Sequence, residues 1–167
     1  TFTGIMANVT QITTERKPVA ISLLLIISGL VGLLAAFMLT YEKFHVLLHP
    51  GTTASCDFSI VVQCGKNLAS WQGSLLGFPN PMIGMMAWPV VITTGVVLLA
   101  GGTLARWYWR ALHIASMVAF VFVIWLFAES VFDLGTLCPW CMVTWLATIT
   151  LVVVLKGWTL KHGVWGD

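Results

Sequence analysis

Residues 18 to 41 read PVAISLLLIISGLVGLLAAFMLTY, an apolar run that lies between Lys17 and Glu42. These 24 residues carry no charge. A transmembrane helix needs about 20 largely apolar residues. Pro18 suits the start of such a helix, because the N–H that proline lacks would have no partner there. The run therefore predicts a membrane-spanning helix over residues 18–40.

Three more spans are predicted from the uncharged stretches that follow. The stretch between Lys66 and Arg106 has 39 residues, too many for one span, and its polar first part predicts an irregular or interfacial segment. We expect an all-α integral membrane protein, a single domain over residues 1–167 built as a four-transmembrane-helix bundle. Its spans are predicted at about 18–40, 82–101, 111–129 and 137–156, with an outer loop at 41–81.

The overall composition supports membrane insertion. Charged residues make up 8% of the chain, whereas soluble domains carry about 25%. The net charge of +2 is too small to indicate nucleic acid as a partner.

The basic residues predict which way the bundle faces. Six of the eight fall on one side of the four spans, and Lys43 and Lys66 fall on the other. Cytoplasmic loops collect Lys and Arg, so both termini are predicted to be cytoplasmic and the 41–81 loop to face outward. The six are Arg16, Lys17, Arg106, Arg110, Lys156 and Lys161.

Four cysteines then fall on or near the outer side, where disulfides are permitted. Cys138 and Cys141 form a C-x-x-C motif at the start of the last span, a helix N-terminus that favours a thiolate. Burial near hydrocarbon opposes this effect. Cys56 and Cys64 in the outer loop supply a second pair, and a relay needs one pair to attack another. The alternative is a structural tetraspan protein whose loop cysteines form a static disulfide.

The residues around the cysteines resemble the vitamin K epoxide reductase family over roughly residues 18–156. The resemblance rests on their order along the chain: the loop cysteine pair, a serine, the F-P-N-P motif and a late C-x-x-C. These features are Cys56-Asp57-Phe58, Val62-Gln63-Cys64-Gly65-Lys66, Ser70, Gly77-Phe78-Pro79-Asn80-Pro81-Met82-Ile83-Gly84, Glu129-Ser130 and Leu137-Cys138-Pro139-Trp140-Cys141.

The resemblance implies a quinone pocket inside the bundle, capped by the outer loop, and a catalytic role for all four cysteines. By motif, Cys56 looks like the shuttle cysteine that meets a partner protein, and Cys64 like its mate that exchanges with Cys138. Cys141 looks like the cysteine that faces the quinone. Ser70 and Asn80 match polar positions near the ring. Trp145 stands where animal members have tyrosine.

Bacterial members of that family reoxidise a thioredoxin-like protein outside the cytoplasm and reduce a membrane quinone. The resemblance thus implies a bacterial inner-membrane enzyme that supports disulfide bond formation, with menaquinone or ubiquinone as cofactor and no metal or flavin. Many relatives carry a fused thioredoxin-like domain after the last span. Here the partner is expected to be a separate thioredoxin-like (DsbA-like) protein. Animal members reduce vitamin K quinone and epoxide instead, and this alternative shares the same cysteines.

Three further residues carry weaker expectations. Met82 follows helical spacing with other methionines and either lines the ring pocket or fills the bundle core. Glu129 and Asp133, at the outer end of the third span, either handle protons or mark a solvated helix end.

Overall fold

The computed structural model describes residues 18–166 as a bundle of long helices with a folded segment at one end. The helices are α1 (Val19–Leu48), α2 (Gly65–Ala69), α3 (Pro81–Leu99), α4 (Arg106–Ala128) and α5 (Pro139–Lys161). A 3₁₀ turn, Trp71–Ser74, follows α2, and a π-helical turn, Glu129–Asp133, continues α4.

Four of these helices, α1, α3, α4 (with its π turn) and α5, are long and apolar enough to cross a membrane. The predicted all-α membrane fold is confirmed. Leu23, Leu24 and Ile27 of α1 point outward, as the side chains of a lipid-facing surface do.

Helix α1 is longer than the predicted span, because it continues to Leu48. Residues 41–48, which the sequence assigned to the outer loop, are therefore helical. Glu42 was taken as the end of the apolar run, but a charge limits the hydrocarbon-buried part of a helix and not the helix itself. The helix ends just before Pro50 and Gly51, which are residues that disfavour a further turn.

The buried face of α1 consists mainly of small residues at intervals of three or four. This spacing brings the backbones of α1 and α3 close together. A Cβ built on Gly32 would lie 2.1 Å from the ring of Trp88, and one built on Gly95 would lie 2.8 Å from the Ser22 carbonyl oxygen. The stripe comprises Ser22, Leu25, Ser28, Gly29, Gly32, Ala35, Ala36, Leu39 and Glu42.

The segment between α1 and α3 folds back over one end of the bundle. The buried Glu42 carboxylate accepts hydrogen bonds from the backbone N–H of Ser55, at 3.0 Å, and from its hydroxyl. The Lys43 ammonium group donates to the Leu68 carbonyl oxygen. The helical extension of α1 thus holds the segment that carries the loop cysteines.

We predict that Gly95→Leu destabilises the bundle, because the new side chain would meet the backbone of α1 as well as the Ile26 side chain. Overpacking of this kind costs about 1–3 kcal/mol. A loss of that size lowers the Tm of a chain of this length by several degrees. Thermal unfolding in detergent measures the change. Gly157→Leu is the matched control, since no atom lies within 4 Å of a Cβ built there, and an equal loss of Tm in both variants would contradict the packing argument.

Candidate active site

The four cysteines meet at the N-terminal end of α5. Cys56 and Cys64 form a disulfide, while Cys138 and Cys141 are free thiols. The Cys138 Sγ lies 3.2 Å from the Cys64 Sγ, although 74 residues separate the two in sequence. The structure thus places a thiol against a disulfide, which is the arrangement that thiol–disulfide exchange requires.

Backbone contacts on both sides of Cys64 hold it at Cys138. The backbone N–H of Leu137 donates to the Val61 carbonyl oxygen at 2.7 Å, and the N–H of Gln63 donates to the Leu137 carbonyl oxygen at 3.0 Å. Beyond Cys64, the Asp57 carboxylate accepts hydrogen bonds from the backbone N–H groups of Cys64 and Gly65, both at 2.8 Å. These contacts join the loop to the residue immediately before Cys138.

The loop disulfide is enclosed by the protein. Cys64 and Cys138 are fully buried, and Cys56 is 3% exposed. The sequence predicted that Cys56 meets a partner protein, and a partner does not reach it in this conformation. The conformation described here is the one suited to exchange between Cys64 and Cys138.

The environment of Cys138 favours its thiolate. The Cys141 thiol donates a hydrogen bond that lowers the pKa of Cys138 below its ordinary value, and backbone N–H groups of Cys141 and Trp140 lower it further. Burial and the nearby Asp57 charge raise this pKa but do not cancel the lowering. The sequence predicted that a helix N-terminus would lower the pKa and burial would raise it, but not the Cys141 hydrogen bond, which is the largest cause.

A cavity of about 210 Å³ opens between the helices directly below the cysteines. Cys141 lies on its wall. Most of the wall is apolar, and polar side chains of the capping segment and of the end of α4 line its outer part. The apolar residues include Trp88, Val91, Phe122, Val123, Leu126 and Leu151.

Four of the five residues predicted to contact a quinone line this cavity: Ser70, Asn80, Cys141 and Trp145. Met82 does not. Met82 precedes Ile83 and Gly84 in α3. The helical face that these two residues share with Ala87 and Trp88 forms part of the cavity wall. Side chains one or two positions apart on a helix point in different directions. The role of Met82 as a ring contact stays a prediction.

Ser70 and Asn80 also shape the cap. The Asn80 amide nitrogen donates to the Gln72 carbonyl oxygen at 2.6 Å, and its oxygen accepts from the Leu75 N–H at 3.1 Å. The Ser70 hydroxyl donates to the Asn67 carbonyl oxygen at 2.7 Å and accepts from the Gly73 N–H at 3.3 Å. Both side chains therefore hold the turn over the cavity.

Two polar cavity residues, Asn67 and Gln72, were missed as site residues by the sequence analysis. Asn67 Nδ2 and Gln72 Oε1 are buried without a hydrogen-bond partner among the described residues. Leaving such an atom unpaired costs about 1–3 kcal/mol. The sequence signal that could have identified Asn67 is its helical spacing from Ser70, which places the two residues on one face. It was missed because the segment was predicted to be irregular.

The unpaired atoms fit a quinone. A ring with carbonyl oxygens offers an acceptor for Asn67 Nδ2, and its reduced form offers a hydroxyl donor for Gln72 Oε1. The apolar walls below suit the ring and its tail. Among residues 18–166 no group of three or more His, Cys, Asp or Glu side chains is arranged to hold a metal ion.

A helical membrane bundle with two facing cysteine pairs beside an apolar cavity belongs to the class of membrane-embedded thiol–disulfide oxidoreductases. Comparison with protein families identifies the family. The model of the vitamin K epoxide reductase family matches residues 23–155, so the chain belongs to that family. Members are oxidoreductases that link disulfide chemistry to a quinone. A search among curated proteins found no match.

We predict that removing the Cys141 thiol traps a Cys64–Cys138 disulfide and frees Cys56. Cys141→Ser keeps a hydroxyl donor for the Cys138 thiolate and Cys141→Ala does not, so the serine variant is expected to form the bond faster at pH 7. The difference is expected to shrink as the pH rises, because the Cys138 thiolate then forms in both variants without help from a hydrogen bond. Alkylation of Cys56 followed by peptide mass mapping measures both rates.

Failure of both variants to form the bond would mean that the loop disulfide is static. Equal rates at pH 7 would contradict the role assigned to the Cys141 hydrogen bond. The double variant Cys138→Ala/Cys141→Ala is the control for any Cys56 labelling that does not come from exchange.

Proposed function

We propose that this protein is a quinone-dependent thiol–disulfide oxidase that passes electrons from an outer partner, through Cys56/Cys64 and Cys138/Cys141, to a membrane quinone. The observation that carries the proposal is the 3.2 Å contact between Cys64 Sγ and Cys138 Sγ, while Cys141 of the same C-x-x-C lines the cavity. One motif therefore touches both the loop disulfide and the site that fits a ring.

The relay begins at the loop disulfide. A partner thiolate attacks Cys56 and breaks the Cys56–Cys64 bond, and the partner's second thiol completes a disulfide in the partner. The Cys64 thiolate then attacks Cys138 of an oxidised Cys138–Cys141 pair and releases Cys141. Cys56 next attacks Cys64, which restores the loop disulfide and leaves Cys138 and Cys141 reduced. The structure has this last arrangement of bonds and thiols.

The second half of the cycle reoxidises Cys138 and Cys141. The cavity residues would hold a quinone, which would supply an acceptor for two electrons and two protons, the same number that a dithiol releases. Cys141 supplies the contact with the cavity, and Cys138 closes the disulfide as the electrons leave. Asn80 and Asn67 orient the ring oxygens, Ser70 holds the cap, and Trp145 and its apolar neighbours exclude water. Menaquinone and ubiquinone both match this description.

The partner is proposed to be a separate thioredoxin-like, DsbA-like protein outside the cytoplasm. Its approach requires the loop to swing away from the bundle, because Cys56 is buried here. The Glu42–Ser55 contacts, next to Cys56 in sequence, are among those that opening must break. We propose a single domain in a bacterial inner membrane, with cytoplasmic termini and the loop outside.

We predict that the purified protein in detergent reduces a menaquinone or ubiquinone analogue when supplied with a dithiol, and that Cys141→Ala abolishes this activity. The variant lacks the only sulfur of the pair that lines the cavity. The absorbance of the quinone ring measures the rate. Cys56→Ala is the informative comparison, since a small dithiol that reduces Cys138–Cys141 directly bypasses the loop.

Absence of reduction with either quinone, from protein whose thiols remain intact, would contradict the oxidase and favour a structural protein with a static loop disulfide. Reduction of vitamin K epoxide at a rate comparable with the quinone would favour the animal-type activity instead.

For the orientation, we predict that Thr53→Cys in a cysteine-free background reacts with a membrane-impermeant maleimide from outside intact spheroplasts. Thr103→Cys, equally exposed but between α3 and α4, is expected to react only after the membrane is permeabilised. The reverse pattern would invert the proposed topology.

A further inference from the structure

Two carboxylates at the outer end of α4 share one amide group. Glu129 and Asp133 lie one helical turn apart, in the π-helical turn that ends this helix. The Gln72 amide nitrogen donates to Glu129 Oε2 at 3.0 Å and to Asp133 Oδ2 at 2.9 Å. Both N–H bonds of the Gln72 amide are therefore used by carboxylates.

This arrangement fixes the orientation of the Gln72 side chain. A flipped amide would point its oxygen at two carboxylates. An ionised carboxylate can accept a hydrogen bond but cannot donate one, so the flipped oxygen would face only acceptors. The Gln72 oxygen is consequently left without a partner among the described residues, in a side chain that is 2% exposed and lines the cavity. A buried unpaired acceptor at a cavity wall indicates a ligand that brings an O–H or N–H donor.

Glu129 itself lines the same cavity as Cys141. Its side chain is half-buried, whereas Asp133 is exposed. The pair thus extends from the cavity wall to the outer surface. A carboxylate that merely ended a solvated helix would not need to face a mostly apolar cavity or to bind a buried amide.

The structure points to a further catalytic residue: we propose that Glu129 transfers protons between the ring site and the outer aqueous phase, with Asp133 as the exposed group that exchanges with water and Gln72 as the positioning residue for both. The inference rests on the proposed quinone-linked function and adds to it a route for protons.

When Cys138 and Cys141 form their disulfide, two S–H bonds break and two electrons and two protons are released. The same two electrons reach the ring, where two O–H bonds form. Glu129 passes a proton to a ring oxygen that is gaining charge, recovers a proton through Asp133 from the outer side, and passes this second proton to the ring as well. The two protons that the ring gains are balanced by the two thiol protons, which are released to the outer side. The cycle needs no further oxidant or reductant.

The experiment is a single-turnover measurement on the full chain in detergent. The protein is reduced at Cys138 and Cys141 and mixed with whichever menaquinone or ubiquinone analogue the wild type reduces faster. General acid catalysis contributes about 10²–10⁴-fold, so Glu129→Gln is expected to slow ring reduction by roughly 10²-fold. Quinone affinity and the Cys64–Cys138 exchange trapped by Cys141→Ser are expected to stay unchanged. Phe132→Leu, an 85% exposed residue of the same turn, is the matched control.

A second readout separates proton transfer from a structural role. Glu129→Asp is expected to recover much of the rate, and added formate is expected to accelerate Glu129→Ala in proportion to its concentration. A wild-type rate in Glu129→Gln would overturn the inference. The inference would also be overturned if Glu129→Ala reduced the ring slowly, did not respond to formate and bound quinone correspondingly more weakly. Those three results together would indicate a structural role for Glu129. If the wild type reduces neither quinone, the proposed function fails and this inference fails with it. If the wild type and Glu129→Gln are equally active, only this inference fails.

Discussion

The contact between the Cys64 and Cys138 sulfurs is the constraint on which the rest of this structure depends. Two atoms 74 residues apart in sequence are held at 3.2 Å inside a fully buried site. Neither local propensity nor the helix bundle brings them together alone. Asp57 fixes the backbone on one side of Cys64, and the bridge between Val62 and Leu137 fixes the other. Precise placement of this kind turns a bimolecular exchange into an intramolecular step.

The helix bundle and the segment between α1 and α3 form different parts of the site. Small residues such as Gly32 and Gly95 allow α1 and α3 to approach closely. The cavity opens between the helices of the bundle that this contact holds together. The segment between α1 and α3 supplies the polar cap, in which Ser70 and Asn80 hold the turn and Gln72 binds the carboxylates of α4. Apolar walls with a polar end suit a molecule that has an apolar tail and a ring with oxygens.

The enclosure of the loop disulfide has a functional consequence. Burial protects the exchange between Cys64 and Cys138 from competing thiols, yet it also hides Cys56 from any partner. The proposed reaction of Cys56 with a partner therefore requires a second position of the loop. The loop is held closed by the polar contacts of Glu42 with Ser55 and of Lys43 with Leu68, and by the backbone hydrogen bonds to Leu137. Its buried residues Ala54, Cys56, Cys64 and Leu68 also pack against Leu39 and Cys138, so opening must separate apolar as well as polar contacts.

The sequence by itself determined the membrane class, the number of spans, the two cysteine pairs and the order of motifs, because apolar runs of span length and C-x-x-C spacing are local properties of the chain. It also placed Ser70, Asn80, Cys141 and Trp145 near one site by resemblance. It missed Asn67 and Gln72 as cavity residues, and it predicted a first span over residues 18–40 although the helix runs on to Leu48. Only the tertiary structure decided these points. It placed Cys64 3.2 Å from Cys138, the partner that the resemblance implied, and it alone brought Gln72 to Glu129. Which face a side chain presents, and which distant residue it meets, depends on how helices pack against each other, and that information is not contained in any one segment.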